Sequence, residues 1–417
     1  MDRRRVQNSQ GGHPGKQCHR WGRIGCDRGF PGQCGHSRES GQNGCRKNRR
    51  VQGLKEQIRS DEQCTQPKFQ DLLEVTLKEE MERRQAILNR QAVCPVPPNH
   101  IYVEPTNKCF LKCAMCTEER IRGNPGLMPF ERWTRILDSL AKYNIKSPIN
   151  LIGRGEPLVH RGLTKFVEYA TSRNMSCCII TNGVLLKEKY ARALLEAGIK
   201  KIQFSLHAHS RETYRMVTGV DVYETVKANL LRLIRLNKEY GGGCYINVMS
   251  VESSINRHES GAFLEFWKDK VDRCFVTPLY SIQGDSKMAL ESKSSIEKKI
   301  HAPASSDHPG CAFPWFFLSY RLDGTINPCP YDFKTHFSVG NVDDEGYELM
   351  QVWNGEMMQR FRQNHLDREY SFCESMHYPC RTCEIPVAPD TYKGLDSYTE
   401  NFHVVFSREF AAILNHG

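Results

Sequence analysis

The sequence has no hydrophobic run long enough to cross a membrane. A membrane-spanning helix needs about 20 consecutive apolar residues, and no stretch of this 417-residue chain provides them. The N-terminus also lacks the apolar centre of a secretory signal peptide. These absences exclude the membrane-spanning class, and no membrane partner is expected.

The chain also lacks the pattern of a secreted disulfide scaffold, although it contains 18 cysteines. Disulfide scaffolds are short chains that cannot build a sufficient hydrophobic core, whereas this chain is long enough for two domains. Several of its cysteines recur at intervals typical of metal sites. Metal-type spacing favours a reducing compartment, so the expected location is cytoplasmic.

The N-terminal residues lack the aliphatic side chains that a folded core requires. Residues 1–55 hold 13 Lys and Arg against three acids, an excess equal to the net charge of +10 for the whole chain. The rest of the chain is therefore close to neutral. Residues 1–60 are predicted to be a basic disordered tail. The alternatives are a zinc site, although no C-x2-C pair is present there, and a nucleic-acid arm; we do not expect a nucleic-acid partner.

Short apolar runs alternate with amphipathic stretches from about residue 98 onwards. The amphipathic stretches have helical spacing, and the apolar runs predict strands at 101–104, 149–153, 176–180, 201–205, 244–250 and 273–277. Strands that alternate with helices indicate a parallel sheet with crossover helices. Six such units predict an α/β protein built on a partial (β/α)6 TIM-type barrel. Active sites of such barrels lie on the loops that follow the strands.

The remaining segments follow from changes in composition along the chain. After the tail, the prediction comprises a helical lead-in at 61–97, the barrel at 98–282, a polar linker at 283–310, a small cysteine-containing domain at 311–390, and a C-terminal helix at 391–417.

The loop after the first predicted strand carries three cysteines, Cys109, Cys113 and Cys116, in the spacing C-x3-C-x2-C. A cubane [4Fe–4S] cluster has four irons, and its usual protein ligands are four cysteines. Three thiolates from one loop would leave one iron open for a substrate or cofactor. The alternative for this spacing is a zinc or structural iron–sulfur site that a distant cysteine completes.

Polar groups also follow the second and third predicted strands. Gly153 and Gly155 would let the backbone approach a ligand closely, and Glu156 with nearby carbonyls could accept hydrogen bonds from a cationic amine. Thr181 and Asn182 end the third strand. Because parallel strands end at one edge of the sheet, these groups are predicted to converge on the cysteine loop, which weighs against a zinc site.

The cysteine loop and the segment from Gly153 to Pro157 together resemble the radical S-adenosylmethionine (SAM) enzymes. The resemblance covers about residues 98–390. It implies a [4Fe–4S] cluster on the three cysteines, an open iron that chelates SAM, and a Gly-Gly-Glu-Pro-type motif that holds the methionine amino group. It further implies SAM contacts at Ser205, Arg215 and Asn247. Met115 departs from the family, which often has an aromatic residue against the adenine at this position.

A second set of cysteines lies in the C-terminal region and comprises Cys311, Cys329, Cys380 and Cys383. Four thiolates suit another [4Fe–4S] cluster, but a four-cysteine set with one C-x2-C pair suits zinc equally well. The order of these cysteines around Gly340–Val342 resembles the SPASM/twitch extensions of radical SAM enzymes. Because no cysteine follows Cys383, the resemblance implies the twitch form with one auxiliary [4Fe–4S] cluster. Cys373 is either a rival ligand or a plain thiol.

The resemblance implies an enzyme that reductively cleaves SAM to a 5′-deoxyadenosyl radical, which abstracts hydrogen from a substrate. We expect an oxidoreductase that dehydrogenates a small molecule such as a polyol or aminosugar, with the auxiliary cluster as electron acceptor. The implied electron donor is of the flavodoxin or ferredoxin type. The non-enzyme alternative is a metal-stabilised binding or nucleic-acid-binding protein.

A peptide-modifying maturase that forms cross-links or epimers is the alternative within the enzyme class. Such maturases usually carry a winged-helix recognition domain before the barrel, whereas residues 56–97 predict one helix and no strand. The sequence identifies no catalytic base. His207, His209 and Tyr280 are candidates either for the substrate cavity or for structural roles.

Overall fold

The computed structural model describes residues 67–116, residues 124–279 apart from Lys146, and residues 311–382 apart from Ala312 and Pro379. The predicted tail, linker and C-terminal helix lie outside the described residues, as do Tyr280 and Cys383.

Six parallel strands form the barrel part of the sheet: β1 (His100–Val103), β2 (Ile149–Leu151), β3 (Cys177–Thr181), β4 (Lys201–Ser205), β5 (Tyr245–Glu252) and β6 (Arg273–Pro278). They lie side by side in sequence order, so each crossover connects neighbouring strands. The predicted α/β fold with a partial barrel is confirmed.

Helices precede the first strand and connect the strands in turn: α1 (Pro67–Leu88), α2 (Phe130–Ala141), α3 (Leu163–Ser172), α4 (Glu188–Glu196), α5 (Arg211–Thr218), α6 (Tyr223–Glu239) and α7 (Ser260–Trp267). Helix α5 is an additional short helix between β4 and α6, and the sequence pattern did not predict it. None of the described helices is long and apolar enough to cross a membrane.

The two faces of the barrel sheet differ in polarity because successive side chains of a strand alternate between them. In β4, Ile202 and Phe204 are fully buried in the apolar core, whereas Gln203 and Ser205 on the opposite face are partly exposed. The helices supply the other side of this core, for example through stacked rings of Trp133 and Phe166 with centroids 4.9 Å apart. The polar face is therefore the one available for a site.

The sheet continues beyond the barrel strands into the C-terminal region. Strand β7 (Phe317–Tyr320) pairs in parallel with β1, and the antiparallel strands β8 (Thr325–Asn327) and β9 (Gly340–Asn341) extend this edge. Three helices follow, namely α8 (Leu349–Trp353), α9 (Glu356–Asp367) and α10 (Ser371–Ser375). The C-terminal cysteine region is thus joined to the barrel by a backbone ladder on β1, which the sequence pattern did not reveal.

Candidate active site

The three-cysteine loop lies against the C-terminal end of α5. The backbone N–H of Lys112 donates to the Thr218 carbonyl at 3.1 Å, and that of Ala114 donates to the Val217 carbonyl at 2.8 Å. Cys109, Cys113 and Cys116 are all partly exposed. The loop is therefore held by backbone bonds while its thiols stay accessible.

The electrostatic surroundings of Cys109 disfavour a bare thiolate. Burial raises the pKa of this thiol, and the nearby charges of Glu156 and Cys116 raise it as well, against hydrogen bonding from the Leu111 backbone, which lowers it. A bound cation reverses such a balance because it stabilises the deprotonated ligand. The loop therefore fits a metal centre better than a free nucleophile.

The loop after β2 packs its backbone directly on the cysteine loop. A Cβ atom at Gly155 would lie 2.4 Å from the Thr106 carbonyl oxygen and 2.7 Å from the Lys108 nitrogen. The backbone N–H of Glu156 donates to the Lys108 carbonyl at 2.9 Å. Only glycine fits this approach, so the structure gives the physical reason for the glycine in this motif.

The Glu156 carboxylate joins the β2 loop to the end of β3. Its Oε1 accepts hydrogen bonds from Thr181 Oγ1 at 2.6 Å and from the Leu158 N–H at 3.1 Å, and its Oε2 accepts one from the Asn182 N–H at 2.7 Å. Burial raises the pKa of Glu156 to about 7, although these three bonds lower it. The structure therefore brings three predicted residues together through a bond network that the sequence did not reveal.

The other predicted SAM contacts lie on neighbouring elements. Strand register pairs Ser205 with Met249, so Ser205 and Asn247 lie on the same face of adjacent strands β4 and β5. Asn247 is fully buried. Arg215 lies on the exposed side of α5, the helix whose end contacts the cysteine loop. Their roles toward SAM stay predictions.

The two histidines after β4 are held by the protein. His207 has a φ of 59°, its Nδ1 accepts a hydrogen bond from the Val251 N–H at 3.1 Å, and burial lowers its pKa to about 4. The backbone N–H of His209 donates to Glu259 Oε2 at 2.8 Å. These bonds account for structural roles, and a lining role in a substrate cavity stays a prediction.

A buried ion pair links the end of β1 to the motif after β2. Arg154 donates from Nε and Nη2 to the two Glu104 oxygens at 2.8 and 2.7 Å, and the Leu322 N–H donates to Glu104 Oε2 at 3.3 Å. Burial alone would raise the pKa of Glu104, but Arg154 and Arg321 outweigh it and lower the pKa. The sequence interpretation missed this pair, although a glutamate that ends a strand just before the cysteine loop was a usable signal.

Four described cysteines lie together in the C-terminal region: Cys311, Cys329, Cys373 and Cys380. The Cys380 thiol interacts with the other three, and burial is the main cause that raises its pKa well above the ordinary value. The sulfur atoms of Cys373 and Cys380 and a ring nitrogen of His365 lie within 4.8 Å of one another. Cys329 Sγ accepts a hydrogen bond from the Tyr378 hydroxyl at 2.8 Å.

This arrangement changes the interpretation of Cys373 and leaves that of Cys383 open. Cys373 is a buried neighbour of Cys380 and not a distant plain thiol. His365 was not singled out from the sequence. Cys383 lies outside the described residues. The donor chemistry of the group, thiolates with one imidazole nearby, fits an iron–sulfur cluster, for which soft sulfur ligands are preferred.

Two parts of the chain match known protein families. Residues 103–252 match the Radical SAM superfamily, and residues 311–384 match the SPASM iron–sulfur cluster-binding domain. These ranges contain the three-cysteine loop and all four predicted auxiliary cysteines, respectively.

Two curated proteins illustrate the relationship. The PqqA peptide cyclase of Granulibacter bethesdensis is 32% identical over 140 residues, which cover 33% of this chain and 37% of that protein. The tungsten-containing aldehyde ferredoxin oxidoreductase cofactor-modifying protein of Pyrococcus furiosus is 27% identical over 330 residues, or 71% of this chain and 90% of that protein. The chain thus spans little more than a third of the peptide cyclase.

A solved structure supports the fold. The structure of Streptococcus suis SuiB bound to precursor peptide SuiA matches with a TM-score of 0.54 and 17% identity, over 75% of this chain and 76% of that one. The cofactors that the two family domains imply are a SAM-binding [4Fe–4S] cluster, SAM and an auxiliary iron–sulfur cluster. The chain therefore contains a Radical SAM superfamily domain followed by a C-terminal SPASM iron–sulfur cluster-binding domain.

Proposed function

We propose that this protein is a radical SAM oxidoreductase that removes hydrogen from its substrate and passes an electron to the auxiliary cluster. The observation that carries the proposal is the buried connection between the two thiol groups. Glu104 and Arg154 lie beside the cysteine loop, and Arg154 Nη1 also contacts the Phe333 carbonyl at 3.5 Å, four residues after Cys329. The same ion pair thus lies beside the three-cysteine loop and contacts the region that carries Cys329. An electron acceptor held in that region suits an oxidation reaction.

In this proposal Cys109, Cys113 and Cys116 hold the SAM-binding cluster. The backbone of Gly153–Pro157 faces the methionine amino group, and Thr181, Asn182, Ser205, Arg215 and Asn247 complete the SAM contacts. The bound cluster and SAM together supply the one-electron chemistry that starts hydrogen abstraction. The chain itself contributes the close backbone approach at Gly155. The buried residues Glu156 and Leu158 exclude water from this end of the sheet.

In this proposal Cys311, Cys329, Cys380 and Cys383 would hold the auxiliary cluster, and Cys373 and His365 lie beside Cys380. Removal of a hydrogen atom leaves an unpaired electron on a substrate carbon. Dehydrogenation is complete when that electron passes to an acceptor and a proton leaves for solvent. An auxiliary cluster held by these cysteines would provide the acceptor, and an external donor of the flavodoxin or ferredoxin type would supply the electron for SAM cleavage.

A small polyol or aminosugar is the proposed substrate. Residues 67–99, the described part of the chain before β1, hold helix α1 and no strand, which does not match a winged-helix peptide-recognition domain. Peptide modification is the second candidate. Its support is the likeness to a PqqA peptide cyclase and to SuiB, whose structure contains a precursor peptide.

The test of the oxidative role separates SAM cleavage from product formation. Cys380→Ala should retain measurable 5′-deoxyadenosine formation, because the SAM-binding cluster is intact, but should lose the two-electron-oxidised product. Cys274→Ala, at a partly exposed cysteine outside both groups, is the matched control and should retain both activities. A folded Cys380→Ala variant that makes the full amount of product would remove the auxiliary cluster from the mechanism, and a product at the same oxidation state as the substrate would indicate a redox-neutral epimerisation instead.

The test of the substrate class uses deuterium. Carbon-deuterated polyols, aminosugars and candidate peptides are supplied separately, and deuterium in 5′-deoxyadenosine is measured by mass spectrometry. Transfer from a polyol or aminosugar supports the first candidate. Transfer from peptides alone would replace it with the second.

A further inference from the structure

Arg321 is a buried cation that directly follows β7. Its side chain is 2% exposed, and its Nη2 donates a hydrogen bond to the Asp332 carbonyl. Within the described part of the chain, its Nε has no hydrogen-bond partner. A buried guanidinium N–H without an acceptor is costly, so this group indicates an acceptor that the described residues do not supply.

Arg321 contacts the turn that carries Cys329. The Asp332 N–H donates to the Cys329 carbonyl at 3.4 Å, and Asp332 Oδ2 accepts from the Phe337 N–H at 2.9 Å and from Asn327 Nδ2 at 3.2 Å. The turn from Cys329 to Asp332 is therefore fixed at both ends. A thiolate at Cys329 interacts favourably with the positive charge of Arg321.

Arg321 also interacts electrostatically with the Glu104–Arg154 ion pair. Glu104 is fully buried and interacts electrostatically with Arg321 as well as with Arg154. The Leu322 N–H, adjacent in sequence to Arg321, donates to Glu104 Oε2 at 3.3 Å. Arg321 is therefore close enough to both Glu104 and the Cys329–Asp332 turn to interact electrostatically with each, and its burial makes its charge act strongly.

We propose that Arg321 raises the reduction potential of the auxiliary cluster by placing a buried positive charge against the turn that carries the Cys329 ligand. Reduction adds one negative charge to the cluster, and a nearby buried cation stabilises that charge. Hydrogen bonds to cluster sulfurs and local net charge are among the factors that set such potentials. A higher potential makes the cluster a better electron acceptor. The inference rests on the ligand role of Cys329 in the proposed function.

The test is a redox titration of the auxiliary cluster monitored by electron paramagnetic resonance. The full chain carries Cys109→Ala, Cys113→Ala and Cys116→Ala, so that the auxiliary cluster alone is observed. Arg321→Gln should lower the ratio of reduced to oxidised cluster at a fixed potential at least tenfold, which for one electron is a downward shift of about 59 mV. Arg321→Lys keeps the charge and should remain near the parent value.

Arg83→Gln is the matched control, because Arg83 is equally buried and also has a partnerless Nε within the described residues, while its hydrogen bonds go to Glu80 and Pro97. The reduction potential of the auxiliary cluster in Arg83→Gln should match that in the parent protein. Asp332→Asn provides an independent readout of opposite sign, because loss of the buried negative charge should raise the potential. This variant also answers the question if Arg321→Gln does not fold.

The inference is overturned if Arg321→Gln and Arg83→Gln give the same potential, if Arg321→Lys shifts as far as Arg321→Gln, or if Asp332→Asn lowers the potential. The ligand role of Cys329 is checked separately by iron analysis. Cys329→Ala that keeps all auxiliary iron would refute the ligand assignment, whereas loss of iron with no potential shift in the Arg321 variants would refute only the inference on Arg321.

Discussion

The two sets of cysteines in this protein differ in how far apart their members lie along the chain. Cys109, Cys113 and Cys116 lie within eight residues of one loop, whereas Cys311, Cys329 and Cys380 are drawn from a span of 70 residues. The first group needs only the correct loop conformation. The second needs strands β7–β9 and helices α8–α10 to form, so a metal bound there closes long loops and contributes to folding. In the proposed function the first group carries the radical chemistry, whereas assembly of the second group depends on more of the tertiary structure.

The largest expected effect is a change in the iron content of the protein when one set of cysteines is removed. Two cubane clusters correspond to about eight irons per chain. Replacement of Cys109, Cys113 and Cys116 by Ala should leave about four irons and abolish 5′-deoxyadenosine formation. Iron analysis and chromatography measure both after anaerobic reconstitution.

Cys178→Ala is the control, because this buried cysteine belongs to neither group. It should keep all iron and all SAM cleavage. Full iron content in the triple variant would show that the loop cysteines are not ligands, and stoichiometric zinc in the parent protein would overturn the auxiliary cluster as described.

The second prediction concerns the buried ion pair of Glu104 and Arg154. Arg154→Met leaves the Glu104 carboxylate buried without its bidentate partner, which should destabilise the protein by about 3–5 kcal/mol. Urea unfolding measures the change. Arg192→Met removes an exposed pair with Glu188, in which the atoms are 2.9 Å apart, and should cost under about 1 kcal/mol. Equal losses in the two variants would contradict the special position of Glu104.

The third prediction tests whether the polar loop after β4 is as strongly buried as the structure indicates. Burial lowers the pKa of His207 from 6.5 to about 4. Below pH 6.5 the unfolded chain binds a proton that folded His207 does not, so folding stability should fall as pH decreases from 6.5 to 4. The loss should approach about 3 kcal/mol, since one pKa unit corresponds to about 1.4 kcal/mol.

His207→Asn is suited to this measurement because asparagine tolerates the positive φ of 59° and keeps an acceptor for the Val251 N–H. The difference in unfolding free energy between parent and variant should therefore change with pH in this window. Parallel stability curves for the two proteins between pH 4 and pH 6.5 would contradict the assignment.

The smallest expected effect on stability tests the close backbone contact between Gly155 and the segment that leads into the cysteine loop. Gly155→Ala forces a Cβ atom against Thr106 and Lys108 and should cost about 1–3 kcal/mol. Because the same contact positions the cysteine loop, SAM affinity measured by calorimetry should also decrease. Gly261→Ala, whose added Cβ would meet nothing within 4 Å, should leave both quantities nearly unchanged.

The two sets of cysteines also show which features of the protein can be predicted from its sequence. Local spacing predicted the cysteine loop, and strand-end polarity predicted that Glu156, Thr181 and Asn182 come together, because both signals are contained in short segments. The pairing of β7 with β1 was not predictable from periodicity, since it depends on a contact between distant parts of the chain. The position of Cys373 beside Cys380 depends on the same long-range assembly.

Buried charge was the other feature that the sequence did not reveal. Glu104, Arg154, Arg321 and Asp332 are ordinary charged residues in composition and spacing. Their importance comes from burial and from one another, and both are properties of the folded state. A sequence alone gives no measure of either for a residue at the end of a strand.

The two backbone bonds between the cysteine loop and α5 have a consequence for how the protein responds to loss of iron. Lys112 and Ala114 satisfy carbonyls of the last turn of α5, so the loop acts as the C-terminal cap of this helix. Oxidative removal of the metal would therefore also loosen the end of a helix, and the altered backbone would be readily accessible to proteases. We therefore expect loss of the metal to shorten the proteolytic lifetime of the protein through these two backbone bonds.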